Sequence, residues 1–362
     1  MPHLPPVHIG LLRETFPGER RVALTPSDVS RLTRGMAISF ERGCGISAGH
    51  DDEAYIAAGG NPAGVESMSA ACDLIVSVRR PSHDLSAAKA AAFLFLGSNS
   101  ESHVSKEIKA GALELDLADL EGVADAGSMD AFTTQATISG HVAVLEGARQ
   151  LGIGHPMLML DGSFVKPIRM AALGADVAAL QAIATARRLG ALTYGFGFGE
   201  EDRQKIEALG AKFIAIDPAL IRSSAAPSHA ANIESLMQLA SHLAQMQLIV
   251  ASVSERGEAA PVLIDESTIA MLAPATVVID LAIGNCSMTK ADQIVTSRSV
   301  RIIGSTTLAS NEANEASRLF SGAMSKLLER LATTGLGVVK NGTDPIIRRL
   351  SGWQQTDARM TS

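Results

Sequence analysis

Short apolar runs alternate along the whole chain with longer segments in which apolar positions recur at helical spacing. That alternation predicts an α/β protein with parallel sheets. In the first third, His8–Leu12 reads as a strand, Pro26–Thr33 as a helix and Ala37–Glu41 as a second strand. Asp51–Ala58 follows as a helix whose D-D-E start suits the positive end of a helix dipole. Further strands are predicted at Leu74–Val78, Ala92–Leu96 and Ala112–Leu115, which completes a first doubly wound domain. Ser128–Leu151 has few breakers and predicts a long linker helix. Gly152, Gly154, Pro156 and Asp161-Gly162 mark the entry to a second domain.

The second domain opens on a strand, Ile168–Leu173, then Gly174, a helix over Asp176–Leu189, Gly190 and another strand. Lys212–Ile216, Leu248–Ser252, Thr276–Leu281 and Arg301–Ser305 are its later strands, and Ser310–Leu331 is a helix that returns to the first domain. The predicted fold is therefore α/β, two doubly wound (Rossmann-like) parallel-sheet domains joined by long helices. The boundaries are 1–127 plus 309–350, a linker helix at 128–151, 152–308, and a loose tail at 351–362.

Composition narrows the function. At 362 residues, 46% hydrophobic and 19% charged, the chain can bury two ordinary cores. A net charge of −7, scattered Arg pairs, two Tyr and one Trp offer neither a phosphate-tracking stripe nor base-stacking platforms, so nucleic acid is excluded as a partner. Cys44, Cys72 and Cys286 stand far apart, which points to a reducing compartment and no structural zinc. The start lacks a signal-peptide pattern and no apolar run reaches the ~18–20 residues of a bilayer span. A cytoplasmic protein without direct membrane insertion is the expectation.

Candidate chemistry concentrates in the strand–turn–helix at Gly174. A dinucleotide-binding turn reads G-x-G-x-x-G: a tight turn, a close approach of backbone to pyrophosphate, and close helix–strand packing. Here Gly174 fills the first place, Asp176 the second and Ala179 the third, and Gly197 stands where an acidic residue would bind ribose hydroxyls. Asp176 is either part of an altered phosphate loop or a helix cap that supplies an internal anion. Glu200 and Glu201 either reach back toward a ribose or charge a helix start. Asp280 reads as a loop-ordering residue, His141 as packed and Cys286 as a buried filler.

The opening I-G-L-L-R-E-T-F-P-G-E-R-R-V-A-L-T-P, with G-C-G-I-S-A-G-H-D-D-E-A-Y, V-R-R-P-S, S-M-D-A-F-T-T-Q-A-T-I-S-G and A-L-Q-A-I-A-T-A-R-R-L-G-A, resembles the alanine dehydrogenase/nicotinamide nucleotide transhydrogenase family. H-P-M-L-M-L-D-G-S is similar to the transhydrogenase branch, and specifically to the soluble NAD(H)-binding part of its alpha subunit. The resemblance implies NAD(H) as cofactor, a homodimer, and membrane and NADP(H)-binding partner subunits. Carried over by position, it implies cofactor contacts at Ser128, Asp130, Thr133, Gly174 and Val177. Gly122 and Gly127 replace the family's Arg and Gln beside the nicotinamide, and His141 replaces a Tyr.

In the alanine dehydrogenase branch a carboxylate is held by an Arg within R-V-A-L-T-P and a Lys within V-K-x-P. Arg21 matches the first and Arg79 replaces the second, a pair suited to a small anion. The branch's acid/base His has no counterpart in F-L-F-L-G-S-N-S, so no catalytic residue is assigned. The implied function is presentation of NAD(H) for hydride transfer to NADP(H) on a partner subunit. The alternative is a divergent homologue without dinucleotide, either a dimeric partner or regulator, or an enzyme repurposed for a small anionic substrate.

Overall fold

The computed structural model describes residues 7–97, 112–123, 125–152, 165–222, 230–254, 259–334 and 344–350. Loop residues Gly154, Pro156 and Asp161-Gly162, the H-P-M-L-M-L-D-G-S segment and the 351–362 tail lie outside them. The chain forms two compact units, Met1–Gln135 with Ser310–Ser362, and Ala136–Ala309.

In the first unit, strands β1 (His8–Leu11), β2 (Ala37–Phe40), β3 (Asn61–Pro62), β4 (Leu74–Val76), β5 (Ala92–Phe95) and β6 (Leu113–Asp116) form one sheet in the order β3-β2-β1-β4-β5-β6. Every pairing is parallel. Helices α1 (Pro26–Leu32), α2 (Asp52–Ala57) and α3 (Val65–Ala71) connect the early strands. Asp51 caps α2 by accepting the Ala54 N–H. The core sets Ile9, Leu11, Ile38, Phe40 and Val76 against Phe320, Met324 and Leu327 of the long helix α10 (Ala313–Thr334). A short helix, α11 (Pro345–Leu350), adds Ile346 and Ile347 to the same core.

The linker helix α4 (Ala131–Leu151) begins three residues later than its composition predicts. Gly127–Met129 forms a separate 3-10 turn, with Gly127 at φ 45°. Asp130 then accepts the Thr133 N–H at 2.9 Å, so the helix starts where its capping carboxylate stands.

The second unit holds β7 (Arg169–Leu173), β8 (Leu192–Gly197), β9 (Lys212–Ala215), β10 (Leu248–Ala251), β11 (Val277–Asp280), β12 (Gln293–Ser297) and β13 (Val300–Gly304), in the order β12-β13-β11-β10-β7-β8-β9. The run β9-β8-β7-β10-β11 is the third-second-first-fourth-fifth order of a Rossmann sheet. β12 pairs antiparallel with β13, so the sheet is not wholly parallel as its apolar runs predict. Helices α5 (Val177–Arg188), α6 (Glu200–Ala208), α7 (Ala219–Arg222), α8 (Ala230–Leu243) and α9 (Glu266–Met271) complete the unit. α5 buries Ile183 together with Ala178, Ala179, Ala182 and Ala186, and the small alanines let helix and sheet come close. Leu239, Leu243 and Ile269 join Leu173, Ile249 and Val278 in a second core cluster.

Candidate functional site

Each sheet reverses its strand order once, between β1 and β4 in the first unit and between β7 and β10 in the second. The crevice beyond the strand ends at such a switch point is where open α/β sheets bind ligands. The sequence-predicted residues divide between the two units: Arg21, Arg79, Ser128, Asp130 and Thr133 belong to the first, Gly174 and Val177 to the second.

In the second unit β7 runs into Gly174, whose φ of 106° is a conformation that side-chained residues rarely adopt. Asp176 is the N-cap of α5, and Val177 and Ala178 are its first helical residues. The Asp176 carboxylate accepts the Ala179 N–H at 2.7 Å and the Ser252 hydroxyl at 2.9 Å. Though the residue is open to solvent, the protein packed around its carboxyl pushes the pKa up, against the opposing pull of Ala179, Ser252 and Ala178. The carboxylate therefore sits at a helix N-terminus, the place a pyrophosphate takes in a dinucleotide site. Like charges ~4 Å apart repel by ~1–4 kcal/mol for effective dielectrics of 80 down to 20. As seated, the carboxylate weakens this cradle for a pyrophosphate.

The end of β8 is also filled from within. A Cβ on Gly197 would stand 2.6 Å from Asp202 Cβ, and the Asp202 carboxylate accepts the Phe198 N–H at 2.8 Å. Glu200 and Glu201 lie in the first turn of α6, Glu200 near Arg203 at 3.8 Å and Glu201 paired with Lys205 at 2.6 Å. They serve the helix dipole and its i,i+3 and i,i+4 pairs. Asp202 and Ser252 are the residues that sequence reading misses here. Asp202 hides in a run of three acids, and Ser252 meets Asp176 only through sheet topology.

The beginnings and ends of neighbouring loops are pinned by two buried polar residues. Asp280, at the end of β11, accepts N–H groups from Ala282, Gly284 and Cys286 and the Thr289 hydroxyl. Asn285 joins Val253 through both its N–H and its carbonyl, at 2.8 Å each, and also donates to the Pro261 carbonyl. Asp280 is thus a loop organiser. Cys286 is 1% exposed, and burial pushes its thiol pKa up. His141 is half-buried, with Nδ1 3.1 Å from the Thr185 hydroxyl of α5.

In the first unit Arg21 and Arg79 do converge, on a carboxylate of this chain. Arg21 makes a bidentate pair with Glu19, Nε to Oε1 at 2.7 Å and a terminal nitrogen to Oε2 at 2.6 Å. Arg79 Nε donates to the same Oε2 at 3.1 Å and its guanidinium lies 5.2 Å from the Phe16 ring centroid. Ser310 donates to Glu19 and Gln135 accepts from Arg21. Burial acts to raise the Glu19 pKa, yet Arg21, Arg79 and Ser310 outweigh it and hold the carboxyl far below its ordinary range. Glu14, half-buried after β1, accepts the Val78 and Arg79 N–H groups from the segment after β4. Burial and the Glu19 charge push its pKa up to about 8.

Asp130 uses both oxygens on Thr133, the second at 2.6 Å from its hydroxyl, and so works as a helix cap. Ser128 is exposed on the preceding turn. Among the described residues no helix is long and apolar enough to cross a membrane.

Residues 10–139 match the family description Alanine dehydrogenase/PNT, N-terminal domain, and residues 143–355 match Alanine dehydrogenase/PNT, C-terminal domain. The chain belongs to this family. The first of the chains that make up NAD(P) transhydrogenase subunit alpha in Rhodospirillum rubrum is 31% identical over 338 residues, covering 86% of this chain and 87% of that one. NAD(P) transhydrogenase subunit alpha of Cereibacter sphaeroides is 34% identical over 361 residues, 94% of this chain and 68% of the relative. The crystal structure of transhydrogenase from Sinorhizobium meliloti superposes with a TM-score of 0.80 at 26% identity, covering 95% of this chain and 97% of the other. An L-alanine dehydrogenase structure, at 20% identity and a TM-score of 0.77 over 95% of this chain and 94% of that one, shares the fold. Within the alanine dehydrogenase/PNT family, then, this chain keeps the scaffold and places its own carboxylates at both switch points.

Proposed function

We propose that this chain is an oxidoreductase component like the NAD(P) transhydrogenase alpha subunit, which presents NAD(H) from its second unit to an NADP(H)-bearing partner subunit. The observation that supports it is the Rossmann strand order with Gly174 at φ 106° leading into the N-terminus of α5, in a chain 31% identical to an alpha-subunit relative. Bound nicotinamide would supply the hydride. This chain's residues would supply binding and orientation, for which Val177 at the helix start and Ser128, Asp130 and Thr133 are the candidates. Partners of this reading are membrane and NADP(H)-binding subunits, with the chain itself a homodimer in the cytoplasm. Hydride transfer from NADH to thio-NADP⁺, whose reduced form absorbs at a longer wavelength than NADH, followed by absorbance with and without those subunits, tests it; turnover that requires both is the expected result.

A second reading is favoured by the seating of Asp176 on the α5 cap. It is a divergent family member without dinucleotide, acting as a dimeric partner or regulator, or on a small anion in the first unit. Glu19, already held between Arg21 and Arg79, weighs against the anion variant.

A further inference from the structure

A side-chain hydrogen bond crosses the crevice between β7 and β10, from the Ser252 hydroxyl after β10 to Asp176 Oδ1 at the start of α5. The same oxygen holds the Ala179 N–H. Asp176 is open to solvent at the switch point. Gly174, which approaches Ser252 and Val253, and Ala178 and Ala179 of α5 bring no charge to it. Asp280, on the strand beside β10, has its carboxylate engaged by its own loop. A glycine in place of Asp176 is what close approach of a pyrophosphate requires.

We propose that Asp176 and Ser252 form a latch that sets the ligand selectivity of the second unit. Latched, the crevice disfavours diphosphate ligands; unlatched, it admits them. This selectivity rests on reading the crevice as a dinucleotide site. The latch requires no change of fold, because a carboxylate that leaves the cap frees the amide groups of α5 for a ligand. Ser252 is a positioning residue: its hydroxyl fixes the carboxylate over the helix end.

The test is calorimetric titration of the full chain and of D176G, D176N and S252A with ADP-ribose, which carries the diphosphate, and with adenosine, which carries none. Glycine is tolerated at an N-cap, so D176G keeps its fold, as its melting temperature would verify. D176N keeps an acceptor for the Ala179 N–H while removing the charge. D176G is expected to bind ADP-ribose at least about tenfold more tightly than the wild type, ~1.4 kcal/mol. D176N and S252A should gain in the same direction by less, and adenosine affinity should stay constant. Wild type equal to D176G for ADP-ribose, or a gain for adenosine as large as for ADP-ribose, overturns the latch alone. No ADP-ribose binding by any of the four proteins overturns the dinucleotide reading and the latch together.

Discussion

Glu19 is the residue on which the first unit's charge arrangement depends. It is buried, and it joins two arginines that sequence reading assigns to an outside anion. The P-G-E-R-R motif names Arg21 readily; that its anion stands two residues earlier becomes visible only when the chain folds the two side chains into a bidentate pair. Glu19→Gln leaves two guanidinium groups short of a full counter-charge, and removing one partner of a buried pair costs ~3–5 kcal/mol. Because the folded-state pKa of Glu19 lies below its ordinary 4.5, the carboxylate's stabilisation is present above that pH and is lost as the pH falls below it. Urea unfolding of wild type and E19Q should therefore differ most near neutrality and converge in acid. Equal stabilities at pH 7 would contradict the counter-ion role.

Among the elements, α10 shows how polar residues can be structural. Ser317, Ser321 and Ser325 recur every fourth residue and are fully buried. Ser317 accepts the Val22 N–H at 3.0 Å, and Ser321 accepts the Thr25 N–H at 2.9 Å, at the N-cap of α1. Helical spacing identifies α10 in the sequence, but serine at a core position reads as surface until its backbone partner is known. Ser321→Ala leaves the buried Thr25 N–H unpaired and should cost ~1–3 kcal/mol, read as a lower urea midpoint. An unchanged midpoint would show that another group meets that N–H.

The strands were legible wherever an apolar run was buried on both faces: β1, β2, β5, β7 and β10 fall within or very near their predicted spans. β12 was not, because its exposed, half-polar Gln293–Ser297 lies on the sheet edge. The apolar pattern does not predict α8 and α9 either. Helix α9 is one and a half turns long, and its clearest sign is the Asp265 cap on the Thr268 N–H.

On the scale of the whole chain, the sheets of both units carry the same device. At each switch point a carboxylate of the chain joins the segments that follow the adjacent strands, Glu14 in the first unit and Asp176 in the second. The departure from G-x-G-x-x-G marks Asp176 as out of place for a nucleotide; it does not reveal the Ser252 partner, 76 residues away. A scaffold shared with transhydrogenase alpha subunits and a crevice closed by its own carboxylate together predict weak, saturable dinucleotide binding. Isothermal titration of the wild-type chain with NADH at low salt measures this directly. A dissociation constant at or below about 100 μM, ~−5.5 kcal/mol, is the predicted result. A folded protein that gives no heat up to millimolar NADH would contradict it.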